Sequence, residues 1–223
     1  MLYHCQLCLQ PTHQAYVCRP CYQDLPATPE ATEYIVKQQN PSLDHIFCPY
    51  LYQPPVSQLI QQLKYHKRYS HSRLLAYLFY QKLKETYRVD KKQTSTNQKP
   101  ILELPEYIVP VPLHNKKLRS KGFNQSFELA KFICKMLKCT NLLNYKICQR
   151  RINTPSQTGL HKKERRKNMH HAFAVNQILN CKHIILVDDV LTTGSTASSL
   201  AETLKAAGVQ RVDLWTIAFA ELN

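Results

Sequence analysis

The stretch Ile184-Ile185-Leu186-Val187-Asp188-Asp189-Val190-Leu191-Thr192-Thr193-Gly194-Ser195-Thr196 sets four apolar residues before two adjacent acids and follows them with a turn rich in Thr and Gly. A short unbroken apolar run is the pattern of a strand covered on both faces, so residues 183–187 are expected as a buried strand. Residues 195–207 carry Ala197, Leu200, Ala201 and Leu204 at helical steps and stop at Gly208, the pattern of a helix with a glycine terminator. Strand, acids, turn and helix in that order place a ligand site at the carboxyl end of a parallel strand. Each part has a chemical task there. The backbone N–H groups of Thr192 to Thr196 converge on a phosphate at the helix N-terminus, where the helix dipole favours an anion. Gly194 lets the backbone approach closely, and the hydroxyls of Thr192, Thr193, Ser195 and Thr196 add donors. Asp188 and Asp189 accept hydrogen bonds from ribose hydroxyls and put negative charge near an anomeric carbon that becomes cationic. A phosphorylated ribose is the ligand this combination suits.

The flanking sequence extends the α/β pattern. Residues 45–52 read as extended, 56–66 and 70–87 as helices, 107–111 as a short strand, 123–138 as a helix and 211–218 as a last strand. Strands alternating with helices predict a mostly parallel sheet with helices on both faces, expected over residues 45–223. Residues 26–44 are polar, contain Pro26, Pro29 and Pro41, and are expected as a connector; residues 89–100 are expected as a polar loop.

The chain of 223 residues holds nine cysteines, an odd number that does not suggest a disulfide framework. Four of them form two Cys-x-x-Cys knuckles, Cys5/Cys8 and Cys18/Cys21. Two such knuckles supply the ligands of a closed tetrahedral zinc site, which stabilises a fold and leaves no open position for catalysis. Residues 1–25 are therefore expected as a zinc-binding module, too short to build a core without its metal. The start, MLYHCQLC, has no charged stretch leading into an apolar one, and no run of eighteen apolar residues occurs. A cytoplasmic protein without membrane insertion is the expectation.

Lysines and arginines number 30 against 15 acids, a formal charge of +15. That field suits phosphate-rich partners. The cations cluster: Lys64, Lys67 and Arg68 lie among Tyr65 and Tyr69, Lys117 and Arg119 form a second group, and Arg150, Arg165 and Arg166 belong to a third. Cations that track phosphates, interleaved with rings that stack on bases, suit single-stranded DNA, with little sequence preference because no motif reads base edges.

Taken in order, these pieces resemble a known family. The segment 184–196 is similar to the phosphoribosyl-pyrophosphate signature of type I phosphoribosyltransferases. Val111-Pro112-Leu113-His114 resembles that family's pyrophosphate loop, which assigns Pro112, Leu113, His114 and Lys116 to pyrophosphate. Residues 150–171 resemble the catalytic loop of the amidophosphoribosyltransferase branch, in which Arg150 and Arg165 join Asp188 and Asp189 as catalytic candidates. Together with the four-cysteine start, Leu63-Lys64-Tyr65 and Gly122-Phe123-Asn124-Gln125, the chain is similar over nearly its whole length to the ComF competence proteins. The resemblance implies phosphoribosyl pyrophosphate with magnesium as ligand, a role in handling incoming single-stranded DNA during natural transformation, and other cytoplasmic competence proteins as partners. An active phosphoribosyltransferase, transferring phosphoribose to a base or amine with release of pyrophosphate, is the alternative. A complete amidotransferase is not expected, because position 2 is Leu2 rather than a nucleophilic cysteine.

Overall fold

The computed structural model describes residues 2–66, 69–87, 100–152, 172–175 and 178–221. In chain order the elements are β1 (Tyr3–His4), β2 (Pro11–Thr12), α1 (Arg19–Gln23), α2 (Glu30–Gln39), β3 (His45–Phe47), β4 (Tyr50–Leu51), α3 (Val56–His66) and α4 (Ser70–Thr86). There follow β5 (Tyr107–Pro110), α5 (Asn115–Lys121), α6 (Gln125–Met136), β6 (Cys148–Arg150), β7 (Phe173–Val175), β8 (His183–Leu191), α7 (Ser195–Ala206) and β9 (Arg211–Phe219).

Five strands make the central sheet in the order β3-β9-β8-β5, with β4 pairing farther along β9, and every pairing is parallel. Parallel neighbours need crossovers rather than tight turns, and α7 supplies the one from β8 to β9. Side chains alternate between the two faces. Ile185 and Val187 of β8 enter a core formed with α3, α4 and α6, whereas Ile184 and Leu186 enter a second core with α2 and α7. Covered on both sides, β8 has to be apolar at consecutive positions, which is why its sequence shows no alternation. The expected α/β architecture with helices on both faces is present.

Several local features differ from the sequence reading. Strand β8 does not stop before the acids: β9 pairs with it as far as Leu191 opposite Phe219, so Asp188 and Asp189 lie within the strand. The segment expected as a connector contains α2, whose Val36 is buried in the second core although its sequence neighbours are mostly polar. The hairpin β6–β7 was not legible in segments of three residues each.

The four-cysteine module is not a detached bead. Cys5, Val17 and Leu25 are buried in the same core as Leu74, Leu75 and Leu78 of α4. Tyr16 packs on Tyr77 with ring centroids 4.9 Å apart, and the Tyr22 hydroxyl donates to Glu85 at 2.7 Å. At the amino end of the sheet, away from the acids, Asp213 accepts from Arg211 at 2.8 and 3.0 Å and lies 2.9 Å from His183 Nε2, a network that ties β8 to β9. Among the described residues no helix is long and apolar enough to cross a membrane.

Candidate functional site

The carboxyl end of β8 brings the acid pair against two helices. Ser126, in the first turn of α6, donates its hydroxyl to Asp188 Oδ1 at 2.7 Å, and the Asp189 backbone N–H donates to the same oxygen at 2.9 Å. Lys64, near the end of α3, places its ammonium 2.9 Å from Asp189 Oδ2. That lysine is mostly withdrawn from solvent, with 21% of its side-chain surface exposed against 6% for Asp189. Burial and then the neighbouring Asp189 charge push the Asp188 carboxyl up to about 6, while the Ser126 hydrogen bond pulls the other way. Burial pulls Lys64 down, but the two carboxylates outweigh it and the net shift is upward. Lys64, expected on a DNA-facing stretch, thus lies against the acid pair. The clue in the sequence was its place on α3, one turn after Ile60 and next to Leu63, both fully buried.

The turn after the strand is held from behind. Gly194 has φ of +75°, and a Cβ there would lie 2.7 Å from the Asn40 side-chain amide. Asn40, almost fully buried at the end of α2, donates from Nδ2 to the carbonyls of Val36 at 2.8 Å and Thr193 at 3.0 Å. Thr193 donates its hydroxyl to Ser195 Oγ at 2.9 Å and accepts from the Ser195 N–H at 3.3 Å. A small cavity of about 50 Å³ lies here, lined by Asp188, Thr192, Gly194, Ser195, Thr196 and Thr216 among others. Its lining is polar on the side of the turn, where hydroxyls and backbone N–H groups suit the oxygens of a phosphate. Asn40 and Ser126 were not picked out from sequence, since each acts through a contact distant along the chain.

The segment after β5 forms the neighbouring wall. Pro112 and Leu113 line a cleft of about 500 Å³ with Phe123, Phe127, Tyr145 and Arg150. His114 caps α5, its Nδ1 accepting from the Lys116 N–H at 3.2 Å. Gly122, at φ of +81°, ends α5, and Asn124 starts α6 by accepting from the Ser126 N–H while its Nδ2 donates to the Val111 carbonyl at 3.0 Å. The Gly-Phe-Asn-Gln motif thereby fixes both the strand exit and the Ser126 hydroxyl. Three cations crowd this side. Lys117 is pulled down by burial and by the charges of Arg150 and Lys121; Lys121 is pulled down by burial, with Asp189 opposing and Lys64 adding; burial lowers Arg150, with Asp188 opposing. Mutually repelling cations beside two acids form a field that an anion relieves. Lys116 and Arg119 are exposed on α5. Lys67, Arg68, Arg165 and Arg166 lie outside the described residues.

At the other end of the chain, the Sγ atoms of Cys5, Cys8, Cys18 and Cys21 lie within 4.8 Å of one another. Thiolates about 2.3 Å from a tetrahedral zinc are about 3.8 Å apart, and Cys8 Sγ and Cys18 Sγ are separated by 3.8 Å. All four are free thiols. The cluster fits structural zinc held by Cys5, Cys8, Cys18 and Cys21.

A parallel α/β sheet with an acid pair and a Thr/Gly turn at the end of its central strand, joined to a four-cysteine module, defines a protein with a phosphoribosyltransferase-like fold and a four-cysteine appendage. No family model matches the chain. Among individual proteins, Competence protein F of Haemophilus influenzae is 35% identical over 186 residues, covering 82% of this chain and 76% of that protein. DNA utilization protein YhgH is 31% identical in Escherichia coli strain K12 and 33% in Salmonella typhimurium, each over 166 residues, 74% of this chain and 68% of the relative. The chain belongs to the ComF competence protein family.

Proposed function

We propose that this protein serves DNA uptake in natural transformation, binding a phosphoribosyl-pyrophosphate-type ligand at the β8 turn and single-stranded DNA on its basic surface. The observation that carries the sugar-phosphate reading is the acid pair, held by Ser126 and Lys64 beside the Thr192–Thr196 turn. Asp188 and Asp189 suit ribose hydroxyls, the turn suits the 5′-phosphate, and Lys117, Lys121 and Arg150 suit a pyrophosphate. Magnesium, expected with that pyrophosphate, would be held by the Asp188 and Asp189 carboxylates, which suit its preference for oxygen ligands. The DNA reading draws on the +15 charge and on relatives named for competence and DNA utilization. Competence proteins that handle DNA in the cytoplasm are the expected partners.

A second reading, transfer of phosphoribose to a base or amine with release of pyrophosphate, is favoured by one observation. The aromatic-lined cleft of about 500 Å³ abuts Pro112 and Leu113 and has room for a planar acceptor. Calorimetric titration of the purified protein with phosphoribosyl pyrophosphate and magnesium tests the first reading. Saturable binding lost in the Asp188→Ala/Asp189→Ala double variant, with the thermal transition retained, is the expected result. Wild-type affinity in that variant refutes the assignment. Pyrophosphate release upon adding a base or amine decides for the enzyme.

A further inference from the structure

Beside α4, a groove of about 590 Å³ runs between the four-cysteine module, the start of α4 and one face of α6. Its lining includes Tyr16 from the module, Tyr69 and Arg73 from α4 and its N-cap, and Glu128, Lys131 and Phe132 from α6. Tyr69 is 46% exposed and stands edge-on to Phe123, with ring centroids 5.1 Å apart. Arg73 and Lys131 lie over the Phe132 ring at 5.2 and 5.3 Å from its centre. Among the described residues the only acid in the lining is Glu128, and Lys131 already pairs with it at 3.0 Å. Lys135 follows Lys131 by one turn and so extends the cationic row along the same face of α6.

We infer that this groove is the seat of single-stranded DNA, with bases stacking on Tyr69 and Tyr16 and phosphates tracked by Arg73 and Lys131. The inference rests on the DNA reading above and adds to it a place and a set of residues. An exposed ring, Tyr69, and a half-buried one, Tyr16, beside cations are the pairing that sequence-tolerant single-strand binding uses, since every base has a stacking face and every nucleotide a phosphate. Charge decides against an acidic or purely apolar occupant: the lone carboxylate is neutralised, and the chain as a whole carries +15. The four-cysteine module forms one wall, so its zinc-binding knuckles have a ligand-facing as well as a structural consequence. The groove also shares Glu128 with the cleft beside Pro112 and Leu113, and the Tyr69–Phe123 pair stands between them. A strand lying in the groove is thus directed towards the phosphoribose side of the molecule.

The test uses the full zinc-loaded chain and a fluorescent oligothymidylate of about 20 nucleotides at low salt, with zinc content and the thermal transition as folding controls. Tyr69→Ala is expected to weaken binding roughly 5- to 100-fold, and Tyr69→Phe to restore most of it, since the ring is kept. Arg73→Gln with Lys131→Gln is expected to reduce the slope of log affinity against log salt by about 0.7 for each phosphate that is no longer neutralised. If wild-type protein does not bind the oligonucleotide, the DNA reading itself fails. If wild-type protein binds but both groove variants bind equally well with an unchanged salt slope, the DNA reading stands and the groove assignment is overturned. A groove that receives a protein segment instead gives that second result.

Discussion

Replacing Lys64 with methionine keeps a long side chain and removes the ammonium that stands 2.9 Å from Asp189. Breaking a buried pair by deleting one partner costs about 3–5 kcal/mol. With 21% of the lysine side chain exposed, the lower figure, about 3 kcal/mol, is the appropriate one. The loss depends on pH, and its sign follows from Asp188. That carboxyl is raised on folding from 3.8 to about 6, so the folded protein retains a proton the unfolded chain has released. The associated stability is full below about pH 4 and is lost as pH rises through 6. Without Lys64 one of the charges that opposes this rise is gone, so the folded value climbs further and the loss deepens at higher pH. Wild type and Lys64→Met are therefore expected to differ by about 3 kcal/mol at pH 8 and by a smaller amount at pH 5. For a chain of this size that is a fall in Tm of about 6–12 °C at pH 8. Thermal unfolding followed by circular dichroism across pH 5–8 reads the gap at each pH. A gap of constant size over that range refutes the reasoning, because a pure packing loss has no pH dependence. The same variant also probes a DNA role for Lys64: its single-strand affinity is expected to stay near wild type.

Three further perturbations address other parts of the molecule. Gly194→Ala forces a Cβ into the left-handed region at φ of +75° and against Asn40, and is expected to cost about 1–3 kcal/mol by urea unfolding and to abolish sugar-phosphate binding; an unchanged midpoint contradicts the close packing of the turn. Cys8→Ser removes one of four clustered thiols, and elemental analysis is expected to fall from about one zinc per chain to none, with a lowered Tm because Cys5 and Val17 share a core with α4. Full metal retention in Cys8→Ser with an unaltered Tm counts against the zinc site. Burial pushes Asp213 up, but His183 and Arg211 outweigh it and hold its carboxyl below the ordinary value; the stabilisation is therefore present above about pH 4 and lost as pH falls. Asp213→Asn is expected to cost about 2 kcal/mol at pH 7 and to flatten the acid limb of a stability–pH profile, whereas an acid limb as steep as the wild type's removes Asp213 from the account.

The linear order of residues was sufficient for whatever depends on neighbours along the chain. The apolar run 184–187, the acids after it and the turn to Thr196 form one continuous strand-to-helix segment, so the sheet position and the outline of the candidate site were legible there. The two Cys-x-x-Cys knuckles announced a metal set in the same way, because each knuckle is local and thiol chemistry is narrow. Only the tertiary structure decided which distant groups complete the site. Lys64 reaches Asp189 across 125 residues, Asn40 reaches Thr193 across 153, and Ser126 reaches Asp188 across 62. Composition marked Lys64 as one more surface cation among tyrosines; folding withdrew it from water and gave it a carboxylate. Helix α2 and the hairpin β6–β7 went unread for the same reason: their own segments carry little periodic signal, and they are held by packing against elements far along the chain. Side-chain pairing between remote segments leaves no period in a sequence, so local pattern identified the chemistry while the fold determined its partners.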